Sequence, residues 1–226
     1  MKKTLALFLV AVAMPLVAKS SDAVQRLDDS ATVFSEIMAT SDKAIPGDLL
    51  EKAHCIVIVP GMKKGAFIVG GQYGKGFMSC RAAGKSGWSA PGGIIVEGGS
   101  FGFQIGGSET DVVMLVMNEK GADRLLSSKF TLGAEGEIAA GPVGRSATAQ
   151  TDAKMTAEIL SWSRSRGIFA GIALKGATLR EDKETNEKLY KRAIGNREII
   201  TEGIAAPAAA QRLLTLLTRH SAHEKS

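Results

Sequence analysis

Short apolar runs separated by glycine, proline or Lys-Gly turns fill the middle of this chain. They lie at residues 56–59, 66–70, 77–82, 93–97, 101–105 and 112–117. Runs of this length and spacing predict strands paired in antiparallel order. Glycine doublets begin at Gly70, Gly92, Gly98 and Gly106, and glycine within strands permits bulges, tight curvature and close backbone approach. The sequence therefore predicts a curved, glycine-rich antiparallel sheet, partly closed like a barrel.

A phosphate-binding loop is the other interpretation of these glycines. It is disfavoured, because neither GxGxxG between a strand and a helix nor GxxxxGK[ST] occurs in the chain. After Asn118, residues 119–127 are predicted as a short helix, followed by strands near 132–140 and 157–163. A turn at 164–167 then returns the chain through 168–174 as a hairpin. With amphipathic helices at both ends, the predicted fold class is α+β.

The N-terminus has the three parts of a secretory signal peptide. Lys2 and Lys3 precede an apolar stretch at 5–14, and Ala18-Lys19-Ser20 forms a small-x-small cleavage site. A membrane anchor is the weaker interpretation, since about ten apolar residues fall short of the roughly 20 that span a bilayer. We therefore predict that residues 1–20 are cleaved and that 21–226 form one exported domain. Its predicted location is periplasmic or envelope-associated, with secretion as a further option.

Charge and aromatic content argue against nucleic acid as a partner. The chain carries a formal charge of +5, and cleavage after Ser20 would remove three lysines and no acid. The remaining domain would be only mildly basic, with two Trp and two Tyr and no dense basic patch interleaved with aromatics.

The two cysteines, Cys55 and Cys80, fall in two predicted strands. In an oxidising compartment they could pair, provided that their Cα atoms lie within roughly 7 Å. Each could equally be an isolated buried thiol, so both interpretations stay open. One cysteine pair with distant histidines is not a zinc-site pattern, and no metal or cofactor is predicted.

Five segments carry a resemblance to a known family. They are GWSAP at 87–91, GFQIG at 102–106, Thr110-Asp111, GPVGR at 141–145 and SWSRSRGIFAG at 161–171. In this order they resemble the SYLF domain family, over roughly residues 45–192. The resemblance implies a lipid-binding module without catalysis, since eukaryotic members bind phosphoinositide membranes and some bind actin. Within these motifs we interpret Trp88 as a strand-end anchor and Trp162 as a core residue, each with a satisfied indole N–H.

No catalytic residues are predicted. His54 immediately precedes a buried-looking strand and is interpreted as a structural histidine. Glu97, Glu109 and Asp111 could form a carboxylate cluster across neighbouring strands, which leaves a hydrolase as a third, minor hypothesis. Solvated charges at the sheet edge explain them as well.

Two amphipathic helices are candidates for membrane contact. In the first, at 21–39, the apolar residues Val24, Leu27, Ala31, Phe34 and Met38 share one face. Only Arg26 opposes four acids there, a balance that anionic headgroups would repel, so packing on the sheet is favoured. The second helix follows Pro207 and places Leu213, Leu214 and Leu217 opposite Arg212 and Arg219. It could lie in a headgroup layer or dock on the core.

A basic loop and one arginine complete the candidate site. The predicted loop 61–65 offers Lys63 and Lys64 beside an exposed Met62, and Lys75 is placed in a neighbouring turn. Arg145 could hold a phosphate or pair with an acid, and the ion pair is slightly favoured. The predicted lipid-binding residues are Lys63, Lys64, Lys75, Arg145, Arg212, Leu213, Leu214, Leu217 and Arg219.

The sequence thus predicts a non-enzymatic phospholipid-binding protein of the bacterial cell envelope. It would associate reversibly with anionic lipid through the basic loops and an amphipathic helix. The alternative is a structural or protein-interaction module of the envelope that does not bind lipid directly. Actin is not expected as a partner of an exported bacterial protein, and no specific protein partner is predicted.

Overall fold

A computed structural model of the chain describes residues 22–40, 44–66, 70–81, 87–100, 106–144, 157–165, 168–172 and 174–221. The strands within these ranges are β1 (Cys55–Ala66), β2 (Gly70–Cys80), β3 (Gly92–Ser100), β4 (Gly106–Val116), β5 (Lys129–Thr131), β6 (Ile138–Ala140), β7 (Ile159–Ser165), β8 (Ile168–Gly171) and β9 (Thr178–Glu181). The helices are α1 (Asp22–Met38), α2 (Gly47–Lys52), α3 (Glu119–Leu125), α4 (Lys183–Tyr190), α5 (Asn196–Thr201) and α6 (Gln211–His220). A 3-10 turn, Ala208–Ala210, leads into α6.

The strands form one curled sheet in the order β5-β9-β3-β2-β1-β4-β7-β6, with β8 paired to the edge of β7. This confirms the predicted α+β class and the curved, partly closed sheet. The pairing is antiparallel except between β6 and β7, which run parallel. A parallel pair needs a connection of a dozen or more residues, and residues 141–158 supply it. The predicted hairpin is present as β7 and β8.

Strand β1 is continuous where the sequence predicted a turn. Its pairing shifts between Val59 and Met62, a β-bulge in which Gly61 adopts a φ of +58°. The bulge lets the strand bend and continue, so residues 61–65 are not a loop and Met62 is fully buried. Lys75 likewise lies within β2 rather than in a turn. The predicted strand at 101–105 falls outside the described residues.

Close backbone contact accompanies the curl of the sheet. A Cβ on Gly76 of β2 would lie 2.0 Å from the carbonyl oxygen of Ile58 in β1, so any larger residue there would force the strands apart.

The two faces of the sheet carry separate apolar clusters. The concave inner face is lined by residues such as Val57, Met78, Val96 and Met114. The outer face, with Ile58, Phe77, Val113 and Leu115, is covered by the helices. Alternation of side chains along each strand explains why neighbouring residues enter different clusters.

Helices α1 and α6 pack together on the outer face. Phe34 of α1 is fully buried, and Leu213 and Leu217 of α6 are 2% and 1% exposed. The ring of Phe34 also meets that of His220 edge-on at 5.8 Å. The favoured interpretation of α1, packing against the body of the domain, is confirmed. Among the described residues, no helix has the length and apolar character needed to cross a membrane.

Candidate functional site

Arg164 joins the first helix to the sheet. Its Nε and Nη2 donate to Oδ2 of Asp111 at 2.9 and 2.8 Å, and its Nη1 donates to Glu36 of α1. Burial alone would lower the pKa of Arg164, but the hydrogen bonds with Glu36 and Asp111 outweigh it and raise the pKa. The Oδ1 atom of Asp111 accepts from the backbone N–H of Gly61 at 2.9 Å, which fixes the bulge of β1 to β4.

An open groove of about 710 Å³ lies around this junction, between α1 and the strands β1, β4 and β7. Its charged lining residues are Asp22, Arg26, Asp29, Glu36, Glu109, Asp111 and Arg164. Carboxylates outnumber guanidinium groups, so the groove is acidic. In the sequence, the acids of α1 served only as an argument that this helix does not bind anionic lipid. It missed their convergence with Asp111 and Arg164, although both of these lie in the family motifs.

The cysteines form a disulfide, which settles the question that the sequence left open. Cys55 of β1 and Cys80 of β2 are direct cross-strand partners, with Cα atoms 3.9 Å apart. The bridge lies in the wall of a second cavity, of about 790 Å³. In the same wall, the guanidinium of Arg81 stacks 4.3 Å from the ring centre of Trp88. The Trp88 indole donates to Ser221 Oγ at 3.0 Å.

The motif residue Trp162 has the structural role that we predicted. It is fully buried, and its indole N–H donates to the carbonyl oxygen of Pro142 at 2.8 Å. A Cβ on Gly141 would lie 2.0 Å from the Trp162 ring, and one on Gly171 would lie 2.1 Å from the Gly141 carbonyl oxygen. These glycines leave room for the Trp162 ring. Packing therefore explains why they occur in the motifs, and no ligand is needed to explain it.

The predicted basic loop is dispersed over two strands. Lys63 is exposed on β1, whereas its neighbour Lys64 is half-buried and burial lowers its pKa. Lys75 of β2 is paired with the buried carboxylate of Asp182 at 2.9 Å. The three ammonium groups therefore do not form one surface.

The predicted C-terminal residues divide between the core and an ion pair. Leu213 and Leu217 are buried against α1, and Leu214 is half-buried beside the same cluster. Arg212 bonds to Asp28 of α1 at 2.5 Å, while Arg219 is exposed. The expected apolar face is thus inside the molecule, because α1 supplies the complementary surface. Arg145 lies outside the described residues.

The three carboxylates of the hydrolase hypothesis have different surroundings. Glu97 pairs with Arg180 at 2.9 Å, Asp111 with Arg164, and Glu109 is exposed near Gly61. Among the residues that the structure describes, no group of three His, Cys, Asp or Glu side chains is arranged to hold a metal. The exposed His54 contributes its backbone carbonyl to a bond from Arg81.

Residues 97–220 match the family described as "Ysc84: Las17-binding protein actin regulator". The chain belongs to the Ysc84 family. This confirms the resemblance drawn from the motifs. The Ysc84 relatives include "SH3 domain-containing YSC84-like protein 1" of Rattus norvegicus, 34% identical over 188 residues, which is 81% of this chain and 54% of the relative. "Protein YSC84" of Saccharomyces cerevisiae is 34% identical over 182 residues, 78% of this chain and 38% of the relative. The chain spans about half the length, or less, of these curated relatives.

The comparisons correct the partner prediction. We expected a phospholipid surface as the partner and did not expect actin. The Ysc84 family description instead refers to binding of Las17 and to regulation of actin, and the relatives' names mention SH3 domains and not lipids. The prediction was wrong for two reasons. It relied on the apolar face of α6 as a membrane contact, and the structure places that face in the interior. It also excluded actin because the chain was predicted to be exported.

Proposed function

We propose that this Ysc84-family chain is a protein-binding domain without catalytic activity, and that its partner is the actin filament. The observation that carries the proposal is the mutual burial of the apolar faces of α1 and α6, at Phe34, Leu213 and Leu217. A helix whose apolar face is already packed inside the domain has no apolar surface to insert into a bilayer. The family description supports a protein as the partner.

The acidic groove is the surface that we assign to this partner. Its open shape leaves room for a polypeptide segment, and its excess of carboxylates favours one that carries Lys or Arg. Asp22, Asp29 and Glu109 are exposed at its rim. Rim charges act mainly on the association rate and on its salt dependence. Binding through the groove should therefore weaken as ionic strength rises.

The test is co-sedimentation of the full chain with actin filaments at low and high salt. We expect saturable binding that falls at high salt and that weakens several-fold in Glu109→Lys, which reverses one rim charge. The matched control is Glu137→Lys, the same charge change at an exposed residue away from the groove. Binding equal in the two variants would remove the groove from the interface.

A parallel arm with anionic phospholipid vesicles distinguishes the two kinds of surface. Sedimentation with vesicles and not with filaments would contradict a protein partner of this class.

Export remains a separate proposal, and it has its own test. N-terminal sequencing of the protein recovered from its native cells should begin at Ser21 if residues 1–20 are removed, and at the initiating residues if they are not.

A further inference from the structure

The second cavity, of about 790 Å³, lies where three apolar clusters of the fold meet. Ala122 and Leu126 of α3 and Ile200 of α5 line it and belong to the cluster on the inner face. Trp88 lines it from the outer cluster. Ile204 lines it from a third, smaller cluster. The cavity therefore has apolar walls, and its volume is within the range of about 300–1,000 Å³ that is typical of small-molecule sites.

The apolar side chains of these walls are incompletely covered. Trp88, Ala122, Leu126 and Ile204 are each half-buried, although each packs against a cluster. Removing such apolar surface from water is favourable, so a ligand that covers it gains free energy. The disulfide in the wall joins the start of β1 to the end of β2, which places the cavity at one end of the curled sheet. The ends of barrel-like sheets are a common location for ligands.

Two carboxylates lie at the mouth of the cavity, where it opens to solvent. Glu119 is the first residue of α3, and Glu202 follows the end of α5. Both line the cavity, and both are exposed. Neither forms a salt bridge with any residue that the structure describes. An acidic mouth above apolar walls is complementary to an apolar molecule that carries a positive charge.

The guanidinium of Arg81 also lies in the wall, but the fold already uses it. Its Nη2 donates to the carbonyl oxygens of Leu50, Glu51 and Ser221 at 3.1, 3.3 and 3.2 Å. The same group stacks on Trp88. Burial lowers the pKa of Arg81, and the charge of Glu51 only partly opposes this effect. Arg81 therefore serves to close the wall, and the two acids set the charge at the opening.

We propose that this cavity binds a small organic amine with an apolar body. The body covers Trp88, Leu126 and Ile204, and the ammonium group meets Glu119 and Glu202 at the mouth. An ammonium has three N–H donors and each carboxylate has two acceptor oxygens, so both acids can bond to one ligand. The cavity shares no lining residue with the acidic groove. The inference therefore does not depend on the proposed function.

The test uses the full chain labelled with ¹⁵N, in which the two tryptophans give two indole N–H signals by NMR. The probe is 2-(1-naphthyl)ethylamine, with 2-(1-naphthyl)ethanol as the neutral comparison and 1-naphthylacetate as the anionic one. We expect the amine to shift the Trp88 signal saturably. It should bind about two- to tenfold more tightly than the alcohol, the range that exposed ion pairs give, and the acid should bind most weakly. The signal of the fully buried Trp162 should not move.

Two results would overturn the proposal. One is the absence of a saturable shift of the Trp88 signal with the amine, and the other is an amine that binds no more tightly than the alcohol or the acid. Because the assay contains no filaments, its failure is distinct from failure of the actin co-sedimentation.

A charge variant tests the two acids at the mouth. The double variant Glu119→Gln, Glu202→Gln should remove the advantage of the amine over the alcohol and leave the affinity for the alcohol unchanged. The matched control is Glu137→Gln, the same change at an exposed acid outside the cavity, which should keep the advantage. An advantage that persists in the double variant would contradict a role for these carboxylates.

A filling variant tests the apolar walls. Ala122→Leu adds side-chain volume inside the cavity and should abolish the shift of the Trp88 signal by the amine and by the alcohol. Ala208→Leu, the same change at an exposed residue outside the cavity, should bind as the unaltered chain does. An unmoved Trp162 signal identifies a folded variant. Binding by folded Ala122→Leu that equals that of the unaltered chain would place the amine elsewhere and contradict the proposal.

Discussion

Asp182 holds a buried negative charge at the start of α4. Its carboxylate caps the helix by accepting from the backbone N–H of Thr185 at 3.1 Å, and it also accepts from the Thr185 hydroxyl at 2.7 Å. Lys75 reaches it from β2 at 2.9 Å. Burial would raise the pKa of Asp182, but the bonds from Thr185 and Lys75 outweigh burial and hold it below its usual 3.8. This residue therefore joins a helix start to the sheet through one charge.

Stability should depend on pH through this carboxylate. The pKa of Asp182 is lower in the folded protein than in the unfolded chain. Its contribution to the free energy of unfolding is therefore fully present above the unfolded pKa of about 4, and it is lost as the pH falls through the lower folded pKa. We expect Asp182→Asn to lower the free energy of unfolding by about 2–3 kcal/mol at pH 7. This is somewhat less than the loss expected for a fully buried ion pair, because water reaches Lys75. The difference from the unaltered chain should shrink toward pH 2 in urea unfolding followed by circular dichroism.

The control is Glu187→Gln, an exposed acid of the same helix. It should leave the unfolding free energy nearly unchanged at every pH. A loss in Asp182→Asn that stays constant from pH 7 to pH 2 would show that packing, and not the charge, supplies the contribution of Asp182.

Among the elements, β1 departs most from the sequence prediction. Gly61 and Lys63-Lys64-Gly65 have the composition of a turn, and local residue type is all that a sequence pattern reports. The strand continues because Asp111, 50 residues away, accepts the Gly61 N–H and because Met62 enters the core. The strands at 56–59 and 112–117, by contrast, were predictable, because a short continuous apolar run is typical of a strand buried on both faces.

The disulfide fixes the other end of β1 to β2. It closes a loop with a sequence separation of 25, and the loop-entropy relation gives about 3.5 kcal/mol for a loop of this size. We expect a reducing agent to lower the unfolding free energy of the unaltered chain by about that amount, measured by denaturant unfolding. The Cys55→Ala, Cys80→Ala double variant should be insensitive to the reductant. An equal response of the two proteins would mean that the reductant acts elsewhere.

At the scale of the whole molecule, the helices α1 and α6 stabilise each other. Helix α6 covers Phe34 of α1, Arg212 pairs with Asp28, and Ser221 accepts from the indole of Trp88. Each helix was predictable from its apolar spacing. Their contact was not, because residues such as Arg212 and Asp28, 184 positions apart, meet only through the folded sheet. The acidic groove was unpredictable for the same reason, since Glu36 and Arg164 are 128 apart.

A chain that ends at Ala206 should therefore be much less stable. Loss of α6 exposes Phe34 and its neighbours and removes the partner of Trp88. Since losing one buried leucine costs about 2–5 kcal/mol, we expect the midpoint of thermal unfolding to fall by at least about 10 °C. Binding of a dye that reports exposed apolar surface should rise. A chain that ends at Ser221 is the control and should melt like the full chain; equal melting of the two truncations would contradict a structural role for α6.

The placement of the two tryptophans gives the molecule two optical reporters. Trp162 is sealed in the interior between glycines, while Trp88 is half-buried at the second cavity and stacked on Arg81. Indole emission moves to longer wavelength when water reaches the ring, so the two residues contribute separable bands. Detachment of the C-terminal end would remove the Ser221 partner of the Trp88 indole and alter that band first, whereas loss of the sheet would expose Trp162 and alter both. Intrinsic fluorescence can thus follow local opening and global unfolding in one sample without a label.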